Sequence, residues 1–322
     1  MKDETMAAVS ANNRRVDPDI ARFVSALAAA YAEHSPSQPV SPTQRRHIAE
    51  LVREEWRSGG PAMAKTTTWD RAGMRMRLHL PVEAEELPAL FYIHGGGWTI
   101  FSIDTHDRLM REYAARAGVA VIGIDYSLAP ESRYPVALDE IVETLDWLEH
   151  EGAQLGIDPR RIAVGGDSAG ANLSVAACLR RRDAGHRALA GMLLNYGAYD
   201  PAHRGSYKTF SGPDYTLEAD EMDAFWRGYV RSEQDLEDPL VAPIKANLEG
   251  LPPAFVGIAE CDVLTDSNIA FADKLEAAEV PVHRSIYSGA THSFLEAVAI
   301  APLAQHAFSE QAEWLRERLE VS

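Results

Sequence analysis

Residues 161–179 constrain the fold of this chain more than any other stretch. Ile162-Ala-Val164 is a short apolar run of the kind that forms a buried strand. Beyond Ser168, the residues Ala171, Leu173, Val175, Ala176, Ala177 and Leu179 supply a helix that packs back onto it. The junction is Gly166-Asp-Ser-Ala-Gly170, a G-x-S-x-G sequence at a strand-to-helix turn. A serine on so tight a turn projects its hydroxyl above the sheet edge, and a Cβ at either flanking glycine would block the strand–helix approach. The same glycine-rich turn can also occur without chemistry. What separates the two readings is whether the chain supplies partners for the serine in the right order.

The rest of the chain alternates strand and helix. Asp17-Pro18 marks a helix start, followed by Ile20, Phe23, Val24, Leu27 and Tyr31 at helical spacing; Ser41-Pro-Thr-Gln44 marks a second, with Ile48, Leu51, Val52 and Trp56. The opening dozen residues read as frayed. Thr66–Trp69 and Met74–Leu80 read as a hairpin around Ala72-Gly73. Strands follow at 89–93, 119–126, 189–196, 254–259 and 282–287, with helices at 109–117, 136–150, 267–278 and 302–319. Such alternation predicts a mostly parallel sheet with helices on both faces and ligands beyond the carboxyl ends of the strands.

Two segments fall outside this rhythm. The two helices within residues 1–60 cannot form a core alone and are expected to contribute to a cap. Residues 61–322 are expected to form the main, catalytic domain, interrupted at about 199–251 by a cap insertion with a helix near 217–231 that carries Phe225, Trp226 and Tyr229. Long insertions at the active edge often wall a pocket.

A net charge of −17 argues against nucleic acid or an anionic membrane surface as a partner. The N-terminus lacks a signal-peptide layout and no apolar run approaches about 18 residues, so a cytosolic protein without membrane attachment is expected. Two cysteines, Cys178 and Cys261, sit in apolar settings and read as buried reduced thiols, with a disulfide left open. A homo-oligomer is equally open.

A serine hydroxyl needs a base, and in this topology the order along the chain is serine, acid, histidine. Of eleven histidines, His283, His292 and His306 fall in the last segment; His283 lies within a strand and His306 within the C-terminal helix. His292 follows Ser288-Gly-Ala-Thr291, read as the loop after the last strand, and is the candidate base. For the acid, Asp262, Asp266 and Glu260 compete. Asp266 precedes a helix, where N-cap duty accounts for it; Glu260 lies closest to the strand; Asp262 points to the active edge and is chosen. His94-Gly-Gly-Gly97 follows a strand where esterases supply oxyanion donors. Gly95, Gly96 and Gly97 with the amide of Ala169 are therefore the candidate oxyanion hole, His94 is a structural hydrogen-bonder, and Trp98 is either pocket wall or packing. Tyr196 and Phe225 join Trp98 as candidate pocket residues. The chemistry needs no metal or organic cofactor.

With His94-Gly-Gly-Gly-Trp98, Asp104-Thr-His-Asp107, Asp125-Tyr-Ser-Leu-Ala-Pro-Glu131, Tyr134-Pro-Val-Ala-Leu-Asp139, Gly166-Asp-Ser-Ala-Gly170, Asp262-Val-Leu-Thr-Asp266 and His292-Ser-Phe294, the chain resembles the hormone-sensitive-lipase-like group of α/β-hydrolases, the GDSAG-type bacterial carboxylesterases. The resemblance spans roughly residues 65–320. It implies an α/β-hydrolase fold with a helical cap, catalytic Ser168, Asp262 and His292, and Gly96, Gly97 and Ala169 as oxyanion donors. Relatives commonly place a proline after Tyr196, and Gly197 here is expected to loosen the loop into the cap. The implied activity is hydrolysis of short-chain acyl esters, small-molecule substrates, through an acyl-serine. An amide hydrolase on the same triad is the nearest alternative. A non-catalytic ligand receptor of this fold, and a long-chain lipase, stand further off.

Overall fold

The computed structural model describes residues 15–36, 38–84 and 86–321. The frayed opening and the N-terminal segment read for a targeting signal lie outside the described residues. Asp17 caps α1 (Pro18–His34), its Oδ1 accepting from the amides of Asp19 and Ile20 at 2.9 and 3.2 Å. Ser41 and Gln44 form a capping box at the start of α2 (Pro42–Arg57). The apolar stripes of the two helices meet, with Phe23 edge-on to Trp56 at 4.7 Å.

The hairpin of β1 (Lys65–Arg71) and β2 (Met74–Leu80) forms one edge of an eight-stranded sheet. Next in the chain come β3 (Leu87–Ile93), α3 (Asp107–Ala117), β4 (Ala120–Ile124), α4 (Val136–Glu151), β5 (Ile157–Asp167), α5 (Ala169–Asp183) and β6 (Met192–Asn195). Residues 199–251 carry α6 (Gly205–Thr209) and α7 (Ala219–Tyr229). The chain closes with β7 (Ala254–Cys261), α8 (Thr265–Ala277), β8 (Val282–Thr291) and α9 (Pro302–Arg318). Strand order is β1-β2-β4-β3-β5-β6-β7-β8, with β1 and β2 antiparallel and the remaining six parallel.

Alternation along the buried strands sorts their side chains to two cores. Phe91, Ile122, Leu194 and Val256 face α4, α5 and α8, whereas Leu90, Val121, Leu193 and Phe255 face α3, α9 and the N-terminal helices. β5 and β8 extend furthest beyond the bounds read from the sequence. β5 begins at Ile157 because Leu87 pairs with it ahead of a register shift. β8 continues to Thr291, since Thr291 pairs with Cys261 beyond an irregularity in the ladder. Ser288–Thr291 is therefore strand, not loop, and His292 follows it directly. Cys178 and Cys261 are buried thiols, not joined in a disulfide. Among the described residues no helix is long and apolar enough to cross a membrane.

Candidate active site

Four strands deliver the site at one sheet edge. β5 ends at Asp167 and α5 starts at Ala169, leaving Ser168 alone on the turn, with φ 53° and ψ −116°. That left-handed backbone is strained for any residue with a Cβ, and strain of this kind persists only where the surroundings impose it. The surroundings here are tight: a Cβ on Gly170 would come within 1.9 Å of the Ile93 carbonyl oxygen. The Ser168 amide donates to Asn195 O at 2.9 Å, tying the turn to β6.

His292, immediately after β8, receives the Ser168 hydroxyl hydrogen bond on Nε2 at 2.9 Å. Its Nδ1–H donates to Asp262 Oδ2 at 2.6 Å. Asp262 follows β7, and its other oxygen, Oδ1, accepts the Leu264 amide at 3.0 Å. Both carboxylate oxygens are thus occupied by donors, which fixes the rotamer of the acid and the tautomer of the imidazole. All three side chains are buried. Burial alone would push the His292 pKa down, but the charge of Asp262 and its hydrogen bond outweigh it and leave it raised.

Three of the other candidates do different work. Asp266 is not an N-cap: α8 starts at Thr265, because the turn at Asp262 begins the helix early. Asp266 Oδ2 accepts the Ser206 amide at 2.9 Å instead. Glu260 accepts from the Ser288 hydroxyl and the Gly289 amide, and His283 pairs with Glu310 on the surface. His306 is exposed in α9.

The amides of Gly96 and Gly97 have no acceptor among the described residues, and Ala169 at the first position of α5 carries one of the orphan amides of a helix start. Gly95 departs from the expected set. Its N–H donates to Asp167 Oδ1 at 3.2 Å and is spent there. Asp167 holds a buried network: the Tyr92 hydroxyl donates to Oδ1 at 2.8 Å and His106 Nε2 lies 3.2 Å from the same oxygen. Burial opposes the charge on Asp167, but His106 and these donors hold its pKa below the ordinary range, while the carboxylate in turn holds His106 raised. His94 donates Nδ1–H to Gly95 O at 2.7 Å and stacks on Tyr126. Its burial, with the neighbouring His106 charge, drops its pKa to about 4, so it anchors the loop as a neutral ring.

Ser168 and His292 open onto a cavity of about 150 Å³. Phe225 lines it, together with Val24, Leu27, Tyr31 and Arg53 from the N-terminal helices. Trp98 and Tyr196, expected beside it, do not. Each sits in left-handed backbone, φ 60° and 35°, which turns its side chain inward. Trp98 stacks on Tyr229 at 4.4 Å and Tyr196 lies edge-on beneath His292. Gly197 is held rather than loosened: its N–H donates to Asn268 Oδ1 and its carbonyl accepts from Asn268 Nδ2, both at 2.9 Å. Sequence reasoning missed Tyr31, Arg53, Glu221 and Thr216, whose hydroxyl donates to the His292 carbonyl. Arg53 sits among the apolar positions of its helix, and that is the one signal that could have exposed it.

A serine, an imidazole and a carboxylate joined above a mostly parallel sheet define an α/β hydrolase. The chain belongs to this family, in its hormone-sensitive-lipase-like carboxylesterase group: residues 90–296 match a family model described as the α/β hydrolase fold. It is 32% identical over 285 residues to the acetyl esterase of Salmonella choleraesuis, covering 87% of this chain and 88% of that one. With the carboxylesterase NlhH of Mycobacterium tuberculosis it shares 38% identity over 238 residues, 70% and 72% of the two chains. Among solved structures, a metagenomic ester hydrolase from Lake Arreo, complexed with a bipyridine phosphonate derivative, superposes with a TM-score of 0.89 at 31% identity, covering 95% of this chain and 100% of that one. The hyperthermophilic esterase from the archaeon Pyrobaculum calidifontis gives 0.86 at 30% identity, covering 94% and 98%.

Proposed function

We propose that this carboxylic ester hydrolase is a serine esterase acting on short-chain acyl esters through an acyl-serine intermediate. The observation that carries the reading is the continuous chain Ser168–His292–Asp262, at 2.9 and 2.6 Å, opening onto a small cavity. His292 Nε2 takes the hydroxyl proton as Ser168 Oγ attacks the ester carbonyl. The amides of Gly96, Gly97 and Ala169 receive the oxyanion, in a buried setting where such donors act strongly. His292 then returns the proton to the departing alkoxide, and water repeats the sequence on the acyl-serine. Asp262 stabilises the imidazolium without itself taking the proton.

Cavity size supports the short acyl group. A volume of about 150 Å³ is what an engineered cavity needs to take up one benzene molecule, far below a long acyl chain. α1, α2 and residues 199–251 serve as the cap over this space, since the walls other than the glycine loop and the catalytic residues come chiefly from them. The test is Ser168→Ala assayed on p-nitrophenyl esters from acetate to dodecanoate. The wild type should favour the short end, and the variant should fold and hydrolyse none of them. Turnover by the variant, or a wild type that prefers dodecanoate, would reject the reading.

A further inference from the structure

Arg53 is a charged side chain built into the wall of the cavity that holds Ser168 and His292, and it is only 5% exposed. A guanidinium carries five N–H donors, and buried polar groups are nearly always satisfied. Two of the five are assigned. Nε donates to Glu296 Oε2 at 3.0 Å and Nη1 donates to the Tyr31 hydroxyl at 2.7 Å. Nη2 has no acceptor among the described residues, and neither does the second hydrogen of Nη1. The cation is also fixed in its plane. Its Cζ lies 4.5 Å from the centroid of the Phe101 ring and 5.5 Å from that of Tyr31. Phe101 itself is held in left-handed backbone, φ 72°, four residues beyond Gly97. Arg53 thus lines the cavity with donors that no protein acceptor among the described residues takes up.

Charge decides what that edge can accept. Arg53 is already neutralised by Glu296, and Glu221, a second lining residue, is paired with Arg45 at 2.9 Å. Two cations and two carboxylates balance, so an incoming carboxylate would add an uncompensated negative charge to a lining that already carries Glu221. A neutral oxygen meets no such cost and satisfies the donors.

From the Arg53 edge and this balance we propose that Arg53 is a specificity-determining residue, selecting small esters that carry a second, neutral acceptor oxygen (ether, hydroxyl or ketone) away from the scissile carbonyl. The proposal rests on the esterase reading above.

The experiment compares isosteric esters on the purified full chain: 2-methoxyethyl acetate against butyl acetate, and ethyl 3-methoxypropanoate against ethyl pentanoate. Each kcat/KM is divided by the alkaline hydrolysis rate of the same ester to remove intrinsic reactivity. In at least one pair the wild type should favour the ether by about tenfold, the size of one hydrogen bond to a charged donor. Arg53→Met/Glu296→Gln, which removes both charges together, should bring that ratio to near one. Arg53→Lys, which keeps the ion pair but loses the fork, should lower the ratio even if the double variant does not fold. No wild-type preference in either pair, or a preference that survives in folded variants, overturns the assignment. So does a monoethyl succinate processed faster than both ethers. Failure of the wild type to hydrolyse any ester would instead sink the esterase reading, so the two failures are distinguishable.

Discussion

Replacing Asp262 by Asn leaves the shape of the site intact and removes the one acceptor that the geometry cannot spare. In the wild type Oδ2 accepts from His292 Nδ1 and Oδ1 accepts from the Leu264 amide, so both ends of the side chain face donors. An amide has one acceptor and one donor end. If its oxygen stays on the Leu264 N–H, its NH₂ faces Nδ1 and forces the imidazole to carry its proton on Nε2, where it can no longer accept from Ser168. If the amide turns over, the NH₂ opposes the Leu264 N–H instead. The second arrangement forfeits a hydrogen bond, and the first inverts the tautomer that the chemistry requires. Loss of this acid in a Ser-His-Asp triad lowers kcat by about 10⁴, or roughly 5.5 kcal/mol of barrier. The assay is initial-rate hydrolysis of p-nitrophenyl acetate, with thermal unfolding as the check on folding. Asp266→Asn, touching only the Ser206 amide, serves as the control and should change kcat by less than about threefold. A folded Asp262→Asn protein that keeps a tenth of wild-type kcat, or an Asp266→Asn that loses more, would refute the assignment of the acid.

The remaining predictions concern protons and positioning. The proposed mechanism needs neutral His292, and its folded pKa is raised, so kcat/KM should fall on acidification with a midpoint above the ordinary histidine value of about 6.5. A pH–rate profile with its midpoint below that value would contradict the His292–Asp262 pairing. The sign for stability is the reverse. The pair contributes fully below the unfolded pKa and loses its contribution as pH rises through the folded one, so activity and this part of stability change in opposite directions. Asp167→Asn should lower kcat by about 10²-fold with little change in KM, because the glycine loop would shift against the nucleophile turn. Since the Asp167 pKa is depressed in the folded protein, its contribution to stability is present above the ordinary aspartate range and lost as pH falls through the folded value; acid unfolding of the variant should be correspondingly less steep. Unchanged kcat in a folded variant would remove Asp167 from the site.

Much of the candidate site was legible because each group of the proposed triad occupies a position that topology alone dictates. The alternation of strand and helix places residues 94–97, 168, 262 and 292 at strand ends, and the ends of parallel strands share one rim. What the sequence could not show depends on backbone conformation or on distant segments. Trp98 and Tyr196 lie where an extended chain would present them to substrate, and positive φ turns both away. Gly95 carries the same signature as Gly96 and Gly97, and only proximity to Asp167 removes its N–H from use. Arg53 lines the cavity from 115 positions before the nucleophile, brought there by the packing of α2 against the segment after His292. Its place on the apolar stripe of α2 marks Arg53 as buried but does not encode which segment it meets.

The sheet and the walls around the cavity have separate origins. Ser168, His292 and Asp262 emerge from β5, β8 and β7, whose registers are locked by neighbours on both sides or by the core. Val24, Leu27, Tyr31, Arg53, Leu217 and Phe225 belong to no strand at all. Selection can therefore rewrite what the enzyme prefers to bind, one helix or loop at a time, while Ser168, His292 and Asp262 take their alignment chiefly from the strands, with Thr216 on the His292 carbonyl as the point where the walls touch them.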